Sequence, residues 1–200
     1  MLRCNINKAK SHESRGWAVG SPREGTVSRD VYLTGHERVL DHDKIIVSKT
    51  DMKGRITYVN EVFCQMAGYT PRQAVGAPHS IVRHPRMPRC VFKLLWDTLA
   101  QEREIFAFVN NRASNGDHYW VFAHVTPSRD LDGGIVGYHS SRRSVDRDVV
   151  RGVVAPLYEQ LWQEEQRHAN PKDGMAASLA MVTGLLSQAG KSYDEFIFSL

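Results

Sequence analysis

The sequence predicts an α+β fold: a five-stranded antiparallel sheet with helices on one side, followed by a C-terminal helical extension. Three observations carry this. Runs of alternating apolar and polar residues, bounded by turn signals, occur in two groups, residues 44–59 and 104–140. Between them, residues 60–99 carry apolar positions at helical spacing, broken by Gly and Pro. After Arg143 the apolar period becomes helical and stays so to Leu200.

The elements follow in order. Residues 1–33 read as a weakly ordered lead-in, interrupted by Gly16, Gly20, Pro22 and Gly25. A short helix is predicted over residues 34–40. Residues 44–50 form a β-branched run, Asp51 to Gly54 turn the chain, and residues 55–59 alternate as the hairpin partner. Asn60 stands where a helix N-cap belongs, Val62, Phe63 and Met66 give the next helix its apolar face, and Gly68 stops it. Thr70 and Gln73 form a capping box around Pro71. Pro78, Pro85 and Pro88 forbid one long helix, so a new helix is expected over residues 87–99. Three strands are predicted at residues 104–111, 118–126 and 135–140, separated by Asn115-Gly116-Asp117 and by the turn at 130–134.

Beyond Arg143, Val149, Val150, Val153, Val154, Leu157, Leu161 and Trp162 mark a helix of about 20 residues. Asn170-Pro171 breaks it, and Met175, Leu179, Val182 and Leu186 mark a second helix that Gly190 ends. Ser192 and Glu195 form a capping box for a last turn. The chain therefore divides into a lead-in (1–33), a sensor-sized domain (34–143) and the extension (144–200).

Composition narrows the function. The net charge is only +4, with no basic helix and no zinc-finger spacing, which argues against nucleic acid as a partner. No apolar run approaches the roughly 20 residues that cross a bilayer. The N-terminus lacks the apolar core of a signal peptide. Cys4, Cys64 and Cys90 are odd in number and unpaired in spacing, as in a reduced, cytoplasmic protein. No nucleophile–base motif, phosphate-cradling loop or metal-spaced His pair is present, so no enzyme activity is expected.

The segment from Arg83 to Arg89 is unusual. Arg83, His84, Arg86 and Arg89 crowd four basic side chains together just before an apolar helix. Their repulsion calls for an anion or a partner surface. An anion carrying an aromatic body suits both the charges and the helix that holds Phe92 and Trp96.

The order of strands and helices is shared by PAS domains, and the motifs are more specific. Arg83-His84-Pro85 with Met87-Pro88, Trp96-Asp97-Thr98-Leu99, Asn115-Gly116-Asp117-His118-Tyr119-Trp120 and Gly137-Tyr138 resemble the PAS domain of bacterial aerotaxis receptors, over about residues 44–143. That resemblance implies FAD held non-covalently in a cup closed by the sheet. It assigns Arg83 and His84 to FAD binding, Asn60 and Phe92 to the pocket, and Asn111 to a polar position at the end of the third strand. The chemistry agrees: Arg83 can fork onto a pyrophosphate. Asn60 and Asn111 offer both donor and acceptor to a flavin edge. Phe92 and Trp96 can pack on the ring, although their default on an apolar stripe is core packing. His79, after Pro78, reads as a turn residue. The sequence departs from the family at Arg86, where an acid is usual, and at Ile105, where the receptors carry a tryptophan.

A cytoplasmic redox or energy sensor is thus expected, working as a homodimer or through a downstream signalling protein such as a chemoreceptor, kinase or cyclase, with no membrane contact. Two alternatives stay open. One is a ligand-free PAS module that binds an acidic partner through Arg83, Arg86 and Arg89. The other is a haem-binding gas sensor with His79 or His84 on the iron.

Overall fold

The computed structural model describes residues 32–200. Strands β1 (Ile46–Asp51), β2 (Ile56–Val59), β3 (Ile105–Arg112), β4 (His118–Arg129) and β5 (Ile135–Arg143) form one sheet in the order β2-β1-β5-β4-β3, every pair antiparallel. The first hairpin closes as its sequence requires. Asp51 Oδ1 accepts from the N–H groups of Lys53 and Arg55, both at 2.8 Å, and Gly54 takes the left-handed φ of 73° that the turn needs.

Between β2 and β3 lie helices α1 (Glu61–Ala67) and α2 (Pro71–Ala74), a 3-10 turn (His79–Val82) and α3 (Arg89–Ala100). Asn60 caps α1, Gly68 ends it in the left-handed region, and Thr70 and Gln73 make a complete capping box for α2. These elements cover one face of the sheet. On that face β1 presents Ile46, Ser48 and Thr50, β5 presents Arg142, Ser140 and Tyr138, β4 presents Tyr119, Val121, Ala123 and Val125, and β3 presents Val109 and Asn111. The registers pair Ile46 with Arg142, Ser140 with Val125, and Tyr119 with Asn111.

The opposite face of β3 and β4 carries Phe106, Trp120 and Phe122, and the extension covers it. The extension comprises α4 (Arg147–Val149), a π-helical turn (Val150–Val154), α5 (Ala155–Gln166), α6 (Pro171–Ala189) and α7 (Tyr193–Phe198). Tyr158 lies 5.9 Å from Trp120, and Phe198 lies 4.7 Å from Phe106. Two hydroxyls also seal the free edge of β3. Tyr158 donates to the Phe108 carbonyl and Tyr193 to that of Phe106, both at 2.8 Å. An open edge would otherwise offer unpaired carbonyls to another chain.

The helix predicted over residues 34–40 is not formed. This segment runs extended beside the start of β4: Thr34 N donates to Gly116 O at 3.0 Å and Arg38 N to His118 O at 2.7 Å. Gly35 adopts φ 74°, which a helix excludes. Asp117 then fixes the segment, accepting from the Thr34 hydroxyl at 2.7 Å and Arg38 Nε at 2.9 Å. These two bonds, with a third from the Asn115 side chain, hold its carboxyl far below the usual carboxylate range. Tertiary hydrogen bonds outweigh a weak local preference. The lead-in over residues 1–31, with Cys4, lies outside the described residues.

Candidate functional site

A cavity of about 260 Å³ lies between the inner sheet face and α3, near the lower end of the size range of small-molecule sites. Its walls divide by chemistry. Val82, Phe92, Leu95, Leu99, Val109 and Val125 are apolar. Ser48, Thr50, His79, Asn111, Ser140 and Arg142 are polar and converge from β1, β3, β5 and the 3-10 turn. Trp96 and Tyr138 stand edge to face at 5.3 Å, and Gly54 lies beneath the Trp96 ring: a Cβ on Gly54 would sit 3.6 Å from the indole.

Arg142 dominates the polar wall. It is 4 % exposed, and among the described residues no carboxylate lies within ion-pairing distance of it. Its Nη2 donates to Ser48 Oγ at 2.9 Å and contacts His79 Nε2 at 2.7 Å. Burial pulls the guanidinium down to about 10, which leaves it charged at neutral pH. His79 completes the arrangement. Burial first, and the Arg142 charge second, depress its imidazole to about 3, so it is neutral. Its Nε2 accepts the Arg142 proton, which assigns the ring hydrogen to Nδ1. Two hydroxyls on the same wall, Thr50 Oγ1 and Ser140 Oγ, are buried without a hydrogen-bond partner among the described residues. A buried cation without an acid, beside two unsatisfied hydroxyls, is costly unless a ligand completes it.

The residues singled out in the sequence separate into two groups. Arg83, Phe92, Trp96 and Asn111 line this cavity. The Arg83 guanidinium lies 4.2 Å over the Phe92 ring and donates to the Met87 carbonyl at 3.0 Å. Burial lowers its pKa, and the nearby Glu165 carboxylate opposes that shift. Asn111 is buried at the end of β3, bridged to the Arg83 backbone, and its carboxamide makes no hydrogen bond with the described residues.

Asn60 and His84 do not reach the cavity. The Asn60 oxygen accepts from Val47 N and Phe63 N, both at 3.0 Å, and its nitrogen donates to Ile45 O at 2.8 Å. The N-cap and the chain at Ile45 and Val47 take its oxygen and one of its two N–H donors. His84 lies in a second recess beside His118, with ring centroids 5.8 Å apart, and its Nδ1 accepts from Arg86 N at 3.3 Å. Burial, then the charges of His118, Arg86 and Arg112, depress it to about 4.

Arg86 also points away. It pairs with Glu159 of α5 at 3.8 Å and lies 5.0 Å over the Trp162 ring. Ile105 packs with Leu95, Leu99 and Val125 in a small apolar cluster at one end of the cavity.

The cavity suits a flat ring system with one apolar flank and one hydrogen-bonding, electron-rich edge. The unpartnered hydroxyls, the free Asn111 amide and the uncompensated Arg142 supply donors and acceptors for the edge. Phe92, Leu95 and Val125 supply the flank. A flavin meets both requirements. Haem fits less well, since Arg142 and Ser48 already engage His79 Nε2 and the His84 ring lies outside the cavity.

Comparison with known proteins agrees with the architecture. Residues 56–142 match the family described as the PAS fold. The chain is 40 % identical over 136 residues to the aerotaxis receptor of Escherichia coli K12, covering 68 % of this chain and 26 % of that protein. It is 26 % identical over 107 residues to the nitrogen fixation regulatory protein of Klebsiella pneumoniae, covering 54 % of this chain and 22 % of that one. The chain thus spans about a quarter of these curated relatives. Among solved structures, an RNA-binding light-oxygen-voltage receptor superimposes with a TM-score of 0.50 at 19 % identity, over 61 % of this chain and 34 % of that chain. A light-oxygen-voltage domain studied with a flavin analogue gives 0.50 at 16 % identity, over 58 % and 87 %. At these identities the two structures share the fold.

Proposed function

With residues 56–142 forming a PAS domain, we propose that this protein is a redox or energy sensor that holds FAD non-covalently in the cavity on the inner sheet face. The observation that carries the reading is Arg142, a buried cation with no acid beside it, aimed into a cavity with two unsatisfied hydroxyls. The similarity to an aerotaxis receptor supports the same direction.

Bound flavin supplies a redox couple whose two states differ in protonation and charge at the ring edge. The chain supplies the rest. Arg142, Ser140, Thr50 and Asn111 bind and orient that edge, and neutral His79 holds Arg142 in place through Nε2. Phe92 and Leu95 exclude water from the ring. Arg83 offers a planar fork to the pyrophosphate. A fixed cation facing a group whose charge changes with reduction makes the two states unequal in energy, and that difference is what a sensor reads.

The protein acts without turnover, in the cytoplasm. It passes its state to a second copy or to a downstream signalling protein such as a chemoreceptor, kinase or cyclase. Among the described residues no helix is long and apolar enough to cross a membrane.

The visible spectrum of the purified protein, before and after incubation with FAD, tests the reading. A protein-bound flavin band that bleaches on reduction is expected. A folded, colourless chain that takes up no FAD contradicts it and favours a ligand-free interaction module.

A further inference from the structure

The basic segment before α3 touches two things at once. Arg83 and, on α3, Phe92 line the cavity. Arg86 and Cys90, between them in sequence, touch the extension instead. Helix α3 starts after Pro88 with no side-chain cap of its own. Its cap comes from α5: Glu165 Oε1 accepts from Cys90 N at 3.0 Å. The same oxygen accepts from Ser178 Oγ of α6 at 2.9 Å.

Glu165 is only 6 % exposed, and among the described residues it has no ion-pair partner. A buried carboxylate is held here by the positive end of α3 and by two hydrogen bonds. The α5–α6 crossing is tight around it, since a Cβ on Gly174 would sit 2.5 Å from the Glu165 carbonyl oxygen. Arg86 adds a second attachment, through Glu159 at 3.8 Å and the Trp162 face at 5.0 Å. That explains why this position is basic: its partner is an acid on the extension, not a group in the cavity.

The hairpin also has a joint. The π-turn at Val150–Val154 ends two residues before Pro156, which lacks the N–H that would continue the helix, and Ala155 N bonds Val150 O five residues back.

We propose that the α5–α6 hairpin is a latch on the 83–92 segment, fastened by Glu165 to the start of α3 and by Arg86 to Glu159 and Trp162, so that a change at the cavity end of the segment loosens or tightens the hairpin. Its role in signalling rests on the sensing function proposed above; the latch itself does not. Arg83 sits at the cavity end and Cys90 at the latch end of one short stretch, and Arg83 donates to Met87 O inside it. Coupling over this distance needs no longer pathway.

Hydrogen-exchange mass spectrometry on the whole chain, without added flavin, tests the latch. Glu165→Ala removes the trans cap, and Arg86→Glu, at an exposed position, breaks the second attachment without touching the core. In each variant, exchange at the α6 amides is expected to rise at least about fivefold while β4 and β5 keep their protection. Adding Glu159→Arg to Arg86→Glu is expected to restore part of the protection. Arg83→Ala, made at the cavity end, is expected to raise α6 exchange too. Unchanged α6 exchange in both Glu165→Ala and Arg86→Glu overturns the latch, and an unchanged Arg83→Ala overturns its coupling to the cavity. A chain that takes up no flavin would sink the sensing function, while these exchange results would still decide the latch.

Discussion

The Arg142 guanidinium lies 2.7 Å from Nε2 of His79, and among the described residues no carboxylate balances it. A neutral imidazole can accept a proton bond but cannot cancel the charge. The apo protein therefore carries a desolvated cation, and a ligand offering an electron-rich edge would relieve it. Arg142→Met keeps an unbranched, mostly apolar stem and removes the charged end group. The unliganded variant is expected to be as stable as the parent or more stable, by about 0–3 kcal/mol in urea unfolding, because buried ions often cost more than apolar replacements. A loss of several kcal/mol would mean that Arg142 is a structural cation.

Acid should weaken the fold through the histidines. His79 and His84 are depressed to about 3 and about 4 in the folded protein, against 6.5 unfolded. The unfolded chain therefore binds protons first as pH falls. The stability these groups contribute is full above about pH 6.5 and is lost as pH drops towards their folded values. Each can contribute a slope of at most about 1.4 kcal/mol per pH unit. Urea midpoints measured from pH 7 to pH 5 should fall, and His79→Gln should flatten the curve. A midpoint independent of pH across this window would contradict the buried neutral state.

Gly137 admits no side chain. A Cβ there would lie 2.0 Å from the Thr50 carbonyl oxygen, on the strand that pairs with β5. Gly137→Ala must push β1 away from β5, the pair that carries Ser48, Thr50, Ser140 and Arg142. A loss of about 3 kcal/mol or more is expected in thermal or urea unfolding. A variant of parental stability would mean that the two backbones are farther apart.

Tyr158 seals the β3 edge through its hydroxyl. Tyr158→Phe leaves the Phe108 carbonyl unpaired at a buried site, and a loss of about 1–3 kcal/mol is expected. Unchanged unfolding would show that this edge is already satisfied.

Arg83→Ala should lower FAD occupancy with the circular dichroism unchanged, since Arg83 lines the cavity and, among the described residues, its side chain hydrogen-bonds to a single carbonyl, that of Met87. Full occupancy would remove Arg83 from the site.

Much of the fold was legible in the sequence because its signals are local. Asp51 to Gly54, Asn115-Gly116 and the Thr70 capping box each fix a turn or a helix start with their own side chains. The 34–40 segment departs from its predicted helix because its partners, Gly116, Asp117 and His118, lie some 80 residues away in sequence.

The site was legible in part. Arg83 and Trp96 belong to recognisable motifs, the resemblance adds Phe92 and Asn111 as pocket positions, and the fold brings the four to one cavity. Asn60 has a motif position too, but its side chain caps α1 and bonds the chain at Ile45 and Val47, away from the cavity. Arg142 escapes the sequence reading because the alternation predicts a last strand ending at Ser140, whereas β5 runs to Arg143. Had the alternation been extended, Tyr138, Ser140 and Arg142 would have shared one face, and an arginine on an inward phase is a signal in itself. His79 read as a turn residue because only the pairing of β1 with β5 brings Ser48 and Arg142 to it.

In the proposed complex Arg142 faces an electron-rich cofactor edge in the cavity. FAD is titrated into the apo parent chain and into Arg142→Met, with binding followed by flavin fluorescence. Saturable binding to the parent is expected, with affinity at least about tenfold weaker in the variant, since a charged hydrogen bond to a buried group is lost. Equal affinities, or no binding by a folded parent, would contradict that placement of Arg142.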